Sequence, residues 1–515
     1  MEYFKKAQKA DSTYQMADYN LAVTYNNLAK EFNEKGEMVL ARGLLYKSIA
    51  SERKFFPAYS NLSDVLMHLA EWEEVSKYGD ILDALTQIQL KNQEKSPQTP
   101  FLNILRIDDP AENLIIAKSW EREISGKAMK YKLKNKPKAK KSKVKIKVGY
   151  VSDGFRDFPT GHNLLDVIKL HNRNKFEIYL YNHGDNDGSY YRKAFERLAD
   201  SFTDIVDWNV GRAIQKIIDD RIDILVDLKG HTQGGNLEIF ARRPGKVQIS
   251  WLGFPGTTGM AFIDYAVVDR VVVPKGEEKY WSEKLIFMPD CYRPVDTGTP
   301  LGNSKLQITK SKHGLPEGKI VFSSFNNAYK IEPVMWEVWM TILRRVPNSI
   351  LWLWERFPEA TRNLKKYARK YAIDPKRLIF TGRLPKDKHL SRIALADIAL
   401  DTRVVNGHTT TAETIRMGVP VIALYGKHFC SRVSASILTA CGMNELVTHS
   451  LKEYEDLAVA FANSDLQKVK QKLRKNLKTY PLLNTKLFTK NLEKGYLAAW
   501  NRYEKSLKPK HLYVR

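Results

Sequence analysis

From Val144 onward the chain alternates short apolar strands with amphipathic helical windows, a rhythm that few architectures accommodate. Val144-Lys-Ile-Lys-Val-Gly-Tyr-Val151 opens a first series, which continues through residues 176–181, 222–227, 247–252 and 266–269. A second series begins at 319–324 and continues through 349–354, 377–380, 398–401 and 420–425. Strands separated by helices predict parallel, doubly wound sheets, and two series in tandem predict two Rossmann-like domains. Open α/β sheets bind ligands beyond the carboxyl ends of their strands. The functional residues are therefore expected in Ser152-Asp-Gly154, Asp227-Leu-Lys-Gly-His-Thr232, Phe325-Asn-Asn-Ala-Tyr-Lys330 and Asn406-Gly-His-Thr-Thr-Thr-Ala-Glu413.

With 515 residues the chain exceeds what one core holds, so several domains are expected. Residues 1–95 are helical by period, and Met16-Ala-Asp-Tyr-Asn-Leu-Ala22 resembles Pro57-Ala-Tyr-Ser-Asn-Leu-Ser63. Small residues spaced for helix pairs make this a short α-helical, tetratricopeptide-like (TPR-like) domain of two or three repeats, with generic helical hairpins as the alternative. Too short to form a long groove, it is expected to cap or dock. The expected order is that domain at 1–95, a linker with a helix and a lysine-rich run at 96–143, Rossmann-like domains at 144–310 and 311–490, and a C-terminal helix and basic tail at 491–515.

The formal net charge of +25 raises a nucleic-acid reading, but eleven lysines and no acid fall between Gly126 and Val148. With no aromatic interleaving suited to base stacking, that run reads as a solvated linker or a weak contact with anionic surfaces, and no nucleic-acid partner is expected. Cys291, Cys430 and Cys441 lack metal or disulfide spacing. The N-terminus lacks a signal-peptide core, and no apolar stretch reaches membrane-spanning length. A cytoplasmic location is expected.

Asn406 to Glu413 follows a strand and opens a helix. Its glycine removes bulk and its threonines can cap, so backbone N–H groups and the positive helix end face an incoming anion. An ordinary βα turn with a threonine cap is the plainer reading. Lys330, Arg356, Arg383, Lys386, His389 and Arg392 recur near strand ends, where cations help a leaving diphosphate. Asp185-Asn-Asp187 has the spacing of a metal-binding motif but reads as a turn between glycines.

Phe325-Asn-Asn-Ala-Tyr-Lys-Ile331, Arg345-Val-Pro-Asn-Ser349, Leu384-Pro-Lys-Asp-Lys-His389, Asn406-Gly-His-Thr-Thr410, Ser431-Arg-Val433 and Trp251-Leu-Gly-Phe-Pro-Gly-Thr257 resemble, in order, the catalytic region of O-GlcNAc transferases and SPINDLY-type relatives. The resemblance runs from about residue 108 to about residue 500. It implies a GT-B fold and inverting transfer of GlcNAc from UDP-GlcNAc to protein Ser/Thr hydroxyls, with no metal or other cofactor. It implies that residues 311–490 bind the nucleotide sugar. There Lys330 would bind the diphosphate, His408, Thr409 and Thr410 would hold it, and His389 would stack on the base between Lys386 and Arg392. Glu413 would take the ribose hydroxyls where mammalian-type enzymes have Asp, and Asn327 stands where they have Gln. His162 and His231 would line the acceptor side, each able to act as base or to tie loop backbone together, with Asp227 or a donor-phosphate oxygen as further candidates for the base. Many relatives have histidine before the proline at 159; here it is Phe158. Asn406-Gly-His-Thr-Thr410 and Pro385-Lys-Asp-Lys-His389 resemble the UDP-GlcNAc users more, while Thr411-Ala-Glu413 and the Asn326-Asn327 pair lean toward SPINDLY, so GDP-fucose and UDP-glucose stay open as donors. A different class also stays open: a binding module with an idle transferase domain.

Overall fold

The computed structural model describes residues 15–133, 145–299, 309–464 and 466–515. The chain's first residues and 134–144 of the lysine-rich run lie outside them. The chain divides into two units, Met1–Arg106 with Lys310–Arg383, and Ile107–Thr309 with Leu384–Arg515.

The larger unit contains β1 (Ile146–Ser152), β2 (Phe176–Asn182), β3 (Ser201–Asp204), β4 (Ile224–Asp227), β5 (Val247–Ser250), β6 (Tyr265–Asp269) and β7 (Lys284–Met288). Then β8 (Ile320–Ser324), β9 (Ser349–Trp354) and β10 (Leu378–Thr381) belong to the smaller unit. The chain returns to the larger unit with β11 (Ile398–Leu400), β12 (Val421–Leu424), β13 (Val447–Thr448) and β14 (Leu512–Tyr513).

In the larger unit one sheet has the order β14-β7-β6-β5-β4-β1-β2-β3, with every pairing parallel. β4, β5 and β6 are buried throughout, as expected of strands covered on both faces. The sequence reading omitted β3, β7, β13 and β14. β3 is a four-residue edge strand, Ser201-Phe-Thr-Asp204, without an apolar run, and β13 has only two residues. The C-terminal helix Thr485–Glu504 buries Leu492, Tyr496, Ala499 and Trp500 in this sheet's core. The tail then adds β14 beside β7 at the edge of this sheet.

The smaller unit begins with the helices Gln15–Glu34, Met38–Ser51, Pro57–His68 and Trp72–Lys91. Small residues at their contacts, Ala17, Ala22, Ala29, Ala41, Ser48 and Ala58, are buried and let the backbones approach. Ser48 Oγ donates to the Ala22 carbonyl at 2.7 Å, so the hydroxyl packed there is satisfied. Its three strands run β10-β9-β8, again parallel. The helical hairpins brace the loop after β8: the Trp72 ring stacks on Tyr367 at 4.2 Å, and its indole N–H donates to the Ile331 carbonyl at 3.2 Å. His68 lies 4.8 Å from the Tyr329 ring. Removing a buried tryptophan that fixes such partners costs about 3–5 kcal/mol. Trp72→Ala should therefore lower the unfolding free energy by that amount in urea denaturation.

Candidate functional site

The Asn406 to Glu413 stretch forms the loop and helix expected. β11 ends at Leu400, the chain crosses 401–408, and a helix runs Thr409–Arg416 before β12. The loop is clamped from behind. Asp401 Oδ1 accepts the Gly407 N–H at 2.6 Å, and Asn406 Nδ2 donates to the Thr402 carbonyl at 2.7 Å. The Thr411 and Ser434 hydroxyls meet at 2.8 Å, and Ser434 Oγ reaches the Gly407 carbonyl at 3.0 Å. A Cβ on Gly407 would run into Thr411 Oγ1. Only glycine fits the approach. The first N–H groups of such a helix have no partner within it and point outward, with the positive dipole end behind them.

Beside this helix stands a cluster of charges. Lys386 Nζ pairs with Glu413, and His389 Nε2 lies 3.7 Å from the same carboxylate. Arg392 Nε donates to His389 Nδ1 at 3.0 Å. Because an arginine Nε–H can only donate, Nδ1 must be the acceptor nitrogen of a neutral imidazole. Burial, helped by the charges of Arg392 and Lys386, takes His389 down to about 3. Burial also brings Arg392 down to about 10. Six predicted residues are thus on or beside one helix: Lys386, His389, Glu413, His408, Thr409 and Thr410, with Arg392 behind them.

The helix Pro159–Leu170, which follows β1, reaches the same place. Asn163 Nδ2 approaches Thr409 Oγ1 at 3.4 Å, and Arg293, from the loop after β7, donates to it at 3.1 Å. With both lone pairs engaged, the Thr409 hydroxyl hydrogen is left to donate outward. His162 Nε2 lies 2.6 Å from Asp157 Oδ1, its ring packs against Tyr191 at 4.5 Å, and its buried Nδ1 has no hydrogen-bond partner. Burial is the largest influence lowering its pKa, with Lys386 adding to it and Asp157 opposing. His162 is therefore neutral near pH 7.

His231 and Asp227 serve loop backbone. His231 Nε2 is 2.6 Å from the Thr258 carbonyl, and burial lowers its pKa to about 4. Asp227 accepts the Lys229 N–H at 3.0 Å and the Gly230 N–H at 2.8 Å, one on each oxygen. Phe158 lies between two cations, Arg156 and Lys229, each 5.2 Å from its ring centroid. Lys229 in turn pairs with Asp153 at 2.9 Å. Asp187 accepts the Asp157 and Ser189 N–H groups at 2.9 and 3.0 Å, the turn expected of the Asp185-Asn-Asp187 stretch.

Asn327 and Lys330 belong to the smaller unit, in the turn after β8 that Trp72 braces. The Lys330 N–H donates to the Asn327 carbonyl at 3.0 Å, and Asn327 Oδ1 is buried without a hydrogen-bond partner. Sequence reading missed Asn163, Arg293 and Asp401. Asn163 follows His162 on the same helix and Asp401 ends a recognised strand, so proximity was a usable signal for both. Arg293 lies in a loop with no motif of its own.

Burial raises the Asp227 carboxyl to about 6, against the lowering effect of its two backbone donors. The folded state therefore holds this proton more tightly than the unfolded chain. The stabilisation is full below the unfolded value, about 4, and is lost as pH rises through about 6. Asp227→Asn should reduce the fall in stability between pH 4 and pH 7 by up to about 3 kcal/mol, read from denaturation at both pH values.

The model of glycosyl transferase family 41 matches residues 121–298 and 293–492. The probable UDP-N-acetylglucosamine–peptide N-acetylglucosaminyltransferase SEC of Arabidopsis thaliana is 35% identical over 462 residues, covering 86% of this chain and 47% of that protein. The UDP-N-acetylglucosamine–peptide N-acetylglucosaminyltransferase of Caenorhabditis elegans is 27% identical over 480 residues, 71% of this chain and 42% of that protein. The chain thus spans about half the length of the curated relatives it matches. Among solved structures, a mutant of the Thermobaculum terrenum O-GlcNAc transferase superposes with a TM-score of 0.78 at 25% identity, covering 98% of this chain and 94% of that one. The fold is of the GT-B type, with Rossmann-like doubly wound domains preceded by a TPR-like helical region. By the reach of the family model and the identity to its relatives, the chain belongs to glycosyl transferase family 41.

Proposed function

We propose that this protein is an inverting protein O-glycosyltransferase that moves GlcNAc from UDP-GlcNAc to Ser and Thr hydroxyls of cytoplasmic protein acceptors. The observation that carries the reading is the helix at Thr409: a clamped glycine loop, a threonine hydroxyl that accepts from Asn163 and Arg293, and the Lys386–Glu413 ion pair beside one helix N-terminus. The family supplies the class of reaction, and the names of the relatives supply donor and acceptor.

In this reading the acceptor oxygen attacks the anomeric carbon from the face opposite the diphosphate. The bond from that carbon to the β-phosphate oxygen breaks, and UDP leaves carrying the new negative charge. Lys330, with His408, Thr409 and Thr410 and the N–H groups of the helix's first turn, stabilises that charge as it forms. His389 stacks on the base, Lys386 and Arg392 flank it, Glu413 takes the ribose hydroxyls, and Asn327 holds the donor from the loop of Lys330. Among His162, His231 and Asp227, His162 suits the base best. Its Nδ1 has a lone pair with no partner, its Nε2 proton is held by Asp157, and the ring is neutral near pH 7. His231 also keeps an acceptor Nδ1, but burial lowers its pKa to about 4 and makes it the weaker base, and the oxygens of Asp227 already serve backbone groups.

Incubation of the full chain with radiolabelled nucleotide sugars and a host lysate tests the reading. Transfer from UDP-GlcNAc is expected. Transfer from GDP-fucose or UDP-glucose alone overturns the donor assignment, and no turnover with any of the three favours a binding module. Lys330→Ala should lower transfer by at least about a hundredfold, the scale of losing one charge-stabilising group, while the melting temperature without nucleotide stays unchanged. Unchanged turnover contradicts the phosphate role.

A further inference from the structure

Arg293 is a buried cation of the larger unit. Only 3% of it is exposed, and its described polar contact is the donation from Nη2 to Thr409 Oγ1 at 3.1 Å; Nε is buried without a hydrogen-bond partner. Among the described residues no carboxylate lies within ion-pair distance of the guanidinium. Asp296, three residues on, is 3.4 Å from Arg416 instead, and it accepts the N–H and hydroxyl of Thr299 at 3.0 and 2.5 Å. The neighbouring Cys291 thiol is pushed up to about 12 by burial and stays neutral.

Arginine keeps its charge in such surroundings, so the side chain is held against three penalties. It is desolvated, it lacks a counter-ion, and it stands at the first residue of a helix, where the dipole disfavours a cation. All three reverse when an anion arrives at that helix end. A structural role needs none of this, because a neutral amide would bond the Thr409 hydroxyl equally well.

We infer that Arg293 is a binding residue for the diphosphate of the donor, a cation set beside Thr409 in addition to Lys330. The inference rests on the nucleotide-sugar reading above and adds to it a residue that the motif resemblance does not include. The ligand class is a nucleoside diphosphate, bound through phosphate oxygens rather than through base or ribose.

Calorimetric titration of UDP, GDP and uridine into the full wild-type chain, Arg293→Gln and Arg293→Lys tests it. Arg293→Gln should weaken UDP binding by about ten- to hundredfold, the range of one charged hydrogen bond, with Arg293→Lys in between and uridine affinity unchanged. Without ligand, Arg293→Gln should melt at or above the wild-type temperature, since an uncompensated charge has gone. UDP binding within about twofold of wild type overturns the inference while leaving the donor reading intact. A lower melting temperature with equal losses for UDP and uridine also overturns it, by assigning Arg293 to folding. A wild-type chain that binds neither UDP nor GDP overturns the donor reading and this inference together.

Discussion

The contact between the Asp401 carboxylate and the Gly407 N–H is the constraint on which the candidate site depends. A helix N-terminus binds an anion well only if its N–H groups are already fixed, since ordering them on binding would consume the gain. The preceding loop must therefore be rigid although it has no regular structure. Buried polar contacts supply that rigidity. The Tyr454 hydroxyl holds the Asp401 carbonyl at 2.8 Å, His428 Nε2 lies 2.9 Å from the Val404 carbonyl, and Asn113 reaches His428 Nδ1 at 3.0 Å. Asp108, at the start of the larger unit's first segment, anchors the His428 loop through the Ser431 hydroxyl at 2.8 Å and two backbone N–H groups. Networks of this kind specify a single arrangement because any missing partner leaves a buried polar group unsatisfied.

With the loop fixed, the arrangement of charge around it becomes intelligible. Lys386 is neutralised by Glu413, and His389 is held neutral by burial and by two cations, so the flank of the helix carries less net charge than its residue types suggest. In the larger unit the cation proposed to meet a diphosphate is Arg293, at Thr409, and in the smaller unit Lys330 stands on a turn braced by Trp72. The turn of Lys330 is supported by packing within its own unit. In the smaller unit the helical hairpins that resemble repeats thereby position a candidate site residue, whatever else they bind.

Much of this was legible in the sequence, for reasons that differ between elements. Most buried parallel strands wrote themselves as apolar runs, because both faces are covered; β7, Lys284-Leu-Ile-Phe-Met288, has such a run and was still passed over. The strand, glycine loop and threonine-led helix around Gly407 wrote themselves as a motif. The edge strand β3 and the two-residue β13 did not, since a short or half-exposed strand needs no apolar run. The roles of single histidines were equally hidden. His162 and His231 look alike in sequence, and only geometry shows the Nε2 of one held by a carboxylate and that of the other by a backbone carbonyl. Arg293 was silent because its significance lies in what surrounds it, the absence of an acid within ion-pair distance among the described residues. Phe158, between Arg156 and Lys229, has a packing role that its residue type alone did not reveal.

The claim that the helix at Thr409 is the seat of the donor diphosphate is tested most directly by amide hydrogen exchange with and without UDP. The account predicts slowed exchange at the amides of residues 407–412, with little change in the sheet core, which is already protected. Protection confined to other parts of the chain, with 407–412 unaltered at saturating UDP, would contradict it.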